Sequence, residues 1–250
     1  AGPRVFDTNG SQVRIPKMGA ATDPKWHGEN EQISEVDASF SEITLLPSTM
    51  KSVKVITRFS NELARQSIIA LDATLRDRLV TDVANKLDAQ FLGNQGDGKT
   101  TPKGLFAYTD VQTIDASGPL TLDLLHDAWG KALAANVNMA ATRWLILPGD
   151  FTKLRKIKDN ANRYMLQPDP TQDGVFRLLG APVTVTSRIP AGCAALADFS
   201  QIAVARDTAP SVKILTERYA DFDQQAIRVV ARYDAAPLNP EAVVTLTGIA

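Results

Sequence analysis

Leu71, Leu75, Leu79, Val83, Leu87 and Phe91 recur every four residues, and Val80 and Ala84 widen the same stripe. Arg76, Asp77, Arg78, Asp82, Lys86 and Asp88 lie between them. This spacing predicts an amphipathic helix of about six turns over residues 72–92. Asp72 is expected as its N-cap and Gly93 as its stop. A helix this long with one apolar stripe must lie along another layer of structure, which excludes a chain built only of strands.

The helix runs into GNQGDGKT, residues 93–100, which spells the G-x-x-x-x-G-K-T string of phosphate-binding loops. That loop works only between a buried strand and a helix that starts at its Lys-Thr and aims backbone N–H groups at the phosphate. Here a helix precedes the string. Pro102 disfavours helical geometry at Thr101, and Gly104 weakens any helix beyond it. The string therefore reads as a Gly-rich turn that ends the helix.

Elsewhere the pattern is mixed. Residues 1–25 are polar, with only Val13–Pro16 extended, and are expected to be an arm that cannot form a core alone and so either lies on something or is disordered. Ile33, Val36, Phe40, Ile43 and Leu45, then the alternation of Val53, Val55 and Thr57 with Lys54 and Arg58, suggest two extended segments around Pro47-Ser48-Thr49. Together they predict a long hairpin over 26–59 that must bury its apolar residues against another part of the protein or another chain. Ser60 should cap a short helix with Leu63, Ile68 and Ile69 inward. Thr121 should cap a helix carrying Leu124, Leu125, Ala128, Trp129 and Leu133. Strands are expected at Trp144–Leu147, Pro182–Thr186, Ala194–Leu196, Ile202–Ala205, Val212–Thr216, Ala226–Tyr233 and Ala242–Leu246, with a short basic helix from Asp150 to Ile157. Strands and helices do not alternate regularly, so the class is α+β and not a doubly wound sheet.

The chemical inventory is sparse. His27 and His126 stand apart from any metal-ligand spacing, and the single Cys193 builds neither a disulfide nor a zinc site. Its alanine neighbours suggest a buried thiol. No G-x-S-x-G turn is present. Glu29, Glu31 and Glu35 near Trp26 read as a solvated or interface row, and Lys153, Arg155, Lys156, Lys158 and Arg163 as a solvated helix face. A net charge of −1 does not suggest a dedicated nucleic-acid binder. No apolar run approaches the ~20 residues of a membrane span. No catalytic, cofactor or metal residue is expected. The hairpin and the arm instead look made to be completed by neighbours.

Several pieces, in order, resemble the major capsid proteins of tailed bacteriophages, with the Hong Kong phage fold shared by encapsulin shells. Trp26, Glu29, Phe40, Ile43, Leu45, Pro47 and Met50 look like that family's extended loop. Phe59–Leu63 and helix 72–92 look like its spine helix. The Gly-rich turn followed by Pro102-Lys103-Gly104-Leu105, then Leu145-Ile146-Leu147-Pro148, then Leu179-Gly180-Ala181-Pro182-Val183, resemble successive steps of the same fold. The resemblance runs from about Val13 to the C-terminus.

It implies an N-terminal arm (1–25) and an extended loop (26–59). It also implies a peripheral domain (60–104 and 206–238) and an axial domain (105–205 and 239–250). Trp26, Glu29, Phe40, Leu45, Met50, Lys51, Lys54 and Arg58 are the expected inter-subunit contacts. Implied partners are further copies of the chain in hexamers and pentamers, a portal protein, a scaffold or maturation protease, packaged double-stranded DNA held non-specifically, and a decoration protein. No membrane partner is implied. The implied setting is the virion, assembled in the host cytoplasm, and the start at Ala1 fits removal of a scaffolding segment. An encapsulin-type compartment and a nucleotide hydrolase using residues 93–100 are the competing readings. Some relatives crosslink through a loop Lys, an Asn and a Glu. By spacing those positions fall near Ser41-Glu42, Gln225 and Arg232, which lack the chemistry, so no crosslinking is expected.

Overall fold

The computed structural model describes residues 2–9, 12–18, 26, 29, 40–46, 51–66, 71–166 and 176–250. Two sheets and a separate two-stranded ribbon organise them. The first sheet has four strands in the order β1-β10-β11-β4. These are β1 (Arg4–Asp7), β4 (Ser52–Ser60), β10 (Ile202–Leu215) and β11 (Gln224–Pro237). β10 and β11 form the long central pair, β4 is antiparallel to β11, and β1 runs parallel to β10.

The long helix, α2 (Leu71–Phe91), lies on this sheet. Its Leu79, Val83 and Leu87 are buried against Phe59, Ile227, Val229 and Ala231, with Val53, Val55, Val212 and Ile214 alongside. The four-residue stripe read from the sequence is thus the packed face. Asp72, expected as the cap, is instead the helix's second residue. The shorter α1 (Asn61–Gln66) precedes it, and the Ser60 hydroxyl accepts from the Glu62 amide. Leu63 was expected inward but is 54 % exposed. Ile68 and Ile69 lie outside the described residues.

The second sheet has six strands, β5-β12-β9-β6-β8-β7. They are β5 (Gln112–Gly118), β6 (Thr142–Ile146), β7 (Arg177–Leu178), β8 (Ala181–Val185), β9 (Ala194–Asp198) and β12 (Val243–Ile249). The β12–β5 and β6–β8 pairs are parallel and the others antiparallel, as an α+β chain allows. α3 (Leu122–Ala134), capped by the Thr121 hydroxyl, and α4 (Pro148–Arg155) cover one face. Leu125, Ala128, Phe151 and Leu154 pack there on Trp144, Ile146, Leu196 and Leu246. The other face carries Leu145, Ala195, Ala197 and Val243 against Leu105, Val111 and Ile189. β9 is therefore buried throughout, and its small alanines let layers close over both sides.

Three expectations are corrected. The segments at 40–45 and 52–60 do not form a hairpin with each other. β3 (Phe40–Leu45) pairs with β2 (Val13–Met18), whereas β4 pairs with β11. Val13–Pro16 is not the arm's only extended stretch, because Arg4–Asp7 also forms a strand, paired with β10, while Val13–Met18 pairs with β3. Asp7 also holds Arg206 through two bonds of 2.6 and 2.9 Å. Finally, the strands expected at Ile202–Ala205 and Val212–Thr216 are one strand, broken only by register shifts between Arg206 and Ser211.

Candidate functional site

The phosphate-loop string is settled by its own hydrogen bonds. The Asp97 carboxylate accepts from the backbone N–H of Lys99, Thr100 and Thr101, each at 2.9 Å. It also accepts from the hydroxyls of Thr100 and Thr101, at 2.6 and 3.1 Å. The amides that a phosphate would need already hold a carboxylate from within the loop. Around it the backbone is pressed together. Gly96 adopts φ +118°, and a Cβ there would stand 2.1 Å from the Pro102 carbonyl oxygen. A Cβ on Gly104 would meet the Gly93 carbonyl at 2.2 Å. The glycines serve packing of the turn onto the end of α2.

The hydroxyl of Thr100, then the amides, hold the Asp97 carboxyl well below the usual carboxylate range. A depressed pKa contributes stability that is complete above the unfolded value, near pH 4, and is lost only as pH falls through the folded value. The Lys99, Thr100 and Thr101 amides are thus expected to stay protected from hydrogen exchange from neutral pH down to pH 4. Asp97→Ala should remove that protection. Protection unchanged by the substitution would refute the cap.

A second polar cluster is buried. Lys51 donates to Asp234 at 2.7 Å, and both side chains are nearly inaccessible, at 5 % and 2 %. The same carboxylate accepts from the amides of Leu46 (2.9 Å) and Ala235 (3.0 Å). One carboxylate on β11 therefore fastens both ends of the connection between β3 and β4. Beside it, the Tyr108 hydroxyl donates to the Ala235 carbonyl, and burial, then the Asp234 and Asp110 charges, push that phenol far above its ordinary range.

The eight expected contact residues separate into three groups. Trp26, Glu29, Lys54 and Arg58 are exposed, Trp26 completely, and the Arg58 guanidinium stands 5.3 Å from the Tyr219 ring centre. Leu45 and Lys51 are not surface residues, and their expected contact role is corrected. Leu45 is buried with Leu46, Ala203 and Ala205, and Lys51 is consumed by Asp234. Phe40 opens β3 opposite Met18, and Met50 lies outside the described residues. Sequence reasoning passed over Asp234, Asp97 and the Asp7–Arg206 pair. A signal existed for the first, since Asp234 is the only acid between Gln224 and Asn239.

The basic run is largely engaged. Lys153 meets Asp150 at 3.2 Å and the Ala250 carbonyl at 3.0 Å, and Arg163 meets Asp159 at 2.9 Å. Arg155 and Lys158 stand over the rings of Phe176 and Tyr164. His126 is exposed on α3. Cys193 is half-buried, and burial pushes its thiol up. Among the described residues no three His, Cys, Asp or Glu side chains gather as metal ligands, and no helix is long and apolar enough to cross a membrane.

A long helix backing a four-stranded sheet, joined to a six-stranded sheet covered by two short helices, is the fold of capsid proteins. A solved structure described as the capsid of a native GTA particle, computed with C5 symmetry, superposes with a TM-score of 0.81 at 18 % identity, over 99 % of this chain and 88 % of that one. A chain of Mycobacterium phage Cain gives 0.76 at 16 % identity, over 98 % and 88 %. The chain belongs to the phage capsid family, whose model matches residues 3–248. The major capsid protein of Klebsiella oxytoca phage phiKO2 is 24 % identical over 276 residues, covering 99 % of this chain and 62 % of that protein. The chain thus spans less than two thirds of that relative's length.

Proposed function

We propose that this chain is a major capsid protein, which self-assembles as hexamers and pentamers into the icosahedral shell around the double-stranded DNA genome of a tailed phage. The observation that carries this reading is family membership across residues 3–248. A closed shell needs several complementary surfaces on each copy, and interfaces of standard size bury on the order of 1,600 Å².

In this reading α2 and the four-stranded sheet form the peripheral domain, and the six-stranded sheet with α3 and α4 the axial domain. The chain's work is architectural and no residue is assigned a catalytic role. Portal protein, scaffold or maturation protease, decoration protein and packaged DNA are the partners that such a shell would meet, and the host cytoplasm is where it would assemble. Negative-stain electron microscopy beside light scattering tests the reading. Closed particles, or rings of five and six, are expected. A homogeneous monomer at every salt and protein concentration would overturn it.

The shell is expected to hold without covalent links between subunits. Ser41 donates to the Lys17 carbonyl, Gln225 pairs with Phe59 across strands, and Arg232 meets Asp207 at 3.0 Å. None offers an amine nucleophile facing an Asn with a carboxylate beside it. Particles boiled in reducing SDS should run as a single subunit band, and a ladder of oligomers would refute this.

A further inference from the structure

The two sheets do not close on each other completely. Where the end of α2 meets the chain that leads into the six-stranded sheet, a cavity of about 220 Å³ remains. Phe91 of α2, Leu105, Phe199, Ile202 and Val204 of β10, and Pro237 of β11 wall it. Ala235 stands opposite Val204 on the same wall, where a larger side chain would fill the space. Packed interiors hold few voids larger than one water. An apolar void of about 150 Å³ stays dry and takes a molecule such as benzene. The backbone groups beside this one are already spent. The Ala235 carbonyl accepts from the Tyr108 hydroxyl, the Ala235 amide donates to Asp234, and the Leu238 amide donates to the Gln201 carbonyl. A trapped water needs two to four polar partners, so these walls suit carbon better than water.

Charge enters at the mouth. Lys103 is half-buried, and its ammonium stands 4.7 Å from the centre of the Tyr108 ring. Among the described residues Lys103 is in no ion pair. The Tyr108 phenol, raised by burial, stays neutral and leaves that charge uncompensated. Asp88 also lines the mouth, but it is exposed, and water screens it more than the half-buried ammonium. A partly desolvated cation beside an apolar hollow favours an anion that brings its own hydrocarbon.

We propose that this cavity is a binding site for an amphipathic monocarboxylate, its hydrocarbon body inside and its carboxylate on the Lys103 ammonium. At the ~30 Å³ that a water takes up in the liquid, the space suits a body of about seven non-hydrogen atoms, the size of the tail of octanoate. The walls belong to the cores of both sheets, Phe91 to that of the four-stranded sheet and Leu105, Phe199 and Ile202 to that of the six-stranded one. A bound molecule therefore holds the two sheets in one arrangement and stabilises the chain by mass action. The site is independent of the shell reading, since every wall residue lies within one subunit.

Titrating octanoate into the full chain tests it, with calorimetry and thermal unfolding as readouts. One molecule per chain should bind with a negative heat-capacity change, the mark of apolar burial, and the melting temperature should rise with its concentration. Butanoate should bind at least tenfold more weakly, because it leaves much of the space empty. Ala235→Leu fills the cavity from β11 and should weaken octanoate at least tenfold with far-ultraviolet circular dichroism unchanged. Val204→Phe fills it from β10 and gives the same reading if the first variant does not fold. Lys103→Met keeps the stem and removes the charge. It should weaken octanoate at least tenfold and change binding of 1-octanol by less than about threefold. No binding at millimolar octanoate, binding that survives both filling substitutions, or several molecules per chain would overturn the site. Equal losses of octanoate and 1-octanol in Lys103→Met would overturn the carboxylate as the group that Lys103 holds.

Discussion

Lys51→Ala should unfold the subunit about 3–5 kcal/mol more easily, because it leaves the Asp234 carboxylate buried and without its cation. For a chain of this size that corresponds to a melting temperature lower by roughly 6–20 °C. The loss comes mainly from stranding a charge, so a neutral pair should behave differently. Lys51→Met combined with Asp234→Asn keeps the shape and an oxygen that can accept from the Leu46 or Ala235 amide. It is expected to recover most of the loss, since well-packed neutral replacements of buried ion pairs are often harmless. Asp234→Ala alone should be at least as damaging as Lys51→Ala, because it orphans two backbone amides as well as the ammonium. Urea unfolding of the three variants decides this. A loss under about 1 kcal/mol for Lys51→Ala would mean that water reaches the carboxylate.

Trp144→Ala is expected to cost about as much, for a different reason. Trp144 is completely buried at the centre of the six-stranded sheet, opposite Val183 on one side and Leu196 on the other. Removing its side chain leaves a cavity under α3 and α4, which costs about 3–5 kcal/mol. Its indole N–H also donates to the Leu178 carbonyl at 3.1 Å, across the sheet to β7. Trp144→Phe separates the two contributions. It keeps most of the ring, loses the donor, and should cost about 1–3 kcal/mol. Equal losses for Phe and Ala would show that the hydrogen bond, not the packed volume, holds β7 to the core.

Legibility followed how local the physics was. α2 was readable because its packed face is a four-residue period that one side of a helix must produce. The strand expected at Trp144–Leu147 and the helix expected from Asp150 were found two residues earlier, at 142–146 and from Pro148, and were readable because Phe151 and Leu154 fall on the inner side of that helix. The partner of a strand is another matter. Alternation marks 40–45 and 52–60 as strands, but nothing local says that one joins residues 13–18 and the other joins 224–232. A turn-like Pro-Ser-Thr between them made the nearer pairing look natural. Arg4–Asp7 was missed because an edge strand of four residues has too short a period to stand out from a polar arm. The contact residues were half legible for a related reason. Exposure of Lys54 and Arg58 follows from alternation on β4, whereas burial of Lys51 depends on Asp234, 183 positions away.

The placement of β4 has a consequence for how the chain is made. Its only described partner strand is β11, so the sheet under α2 cannot close until residues 224–232 have been synthesised. At ordinary ribosomal speeds of about 5–20 residues per second, the interval between Ser60 and Gln224 is roughly 10–30 s. During it the apolar side of α2 has no sheet to lie on, and β4 is an open edge. The six-stranded sheet fares no better, since β12 sits between β5 and β9 and ends at Ile249. Both halves therefore wait for residues 224–249, and nascent chains on neighbouring ribosomes meet while their strand edges are still open. A chain with this connectivity should be a demanding client for chaperones that bind unfinished polypeptides. A permuted variant that starts at Leu105 and carries residues 1–104 after Ala250 would bring β4 within roughly 4–15 s of β11.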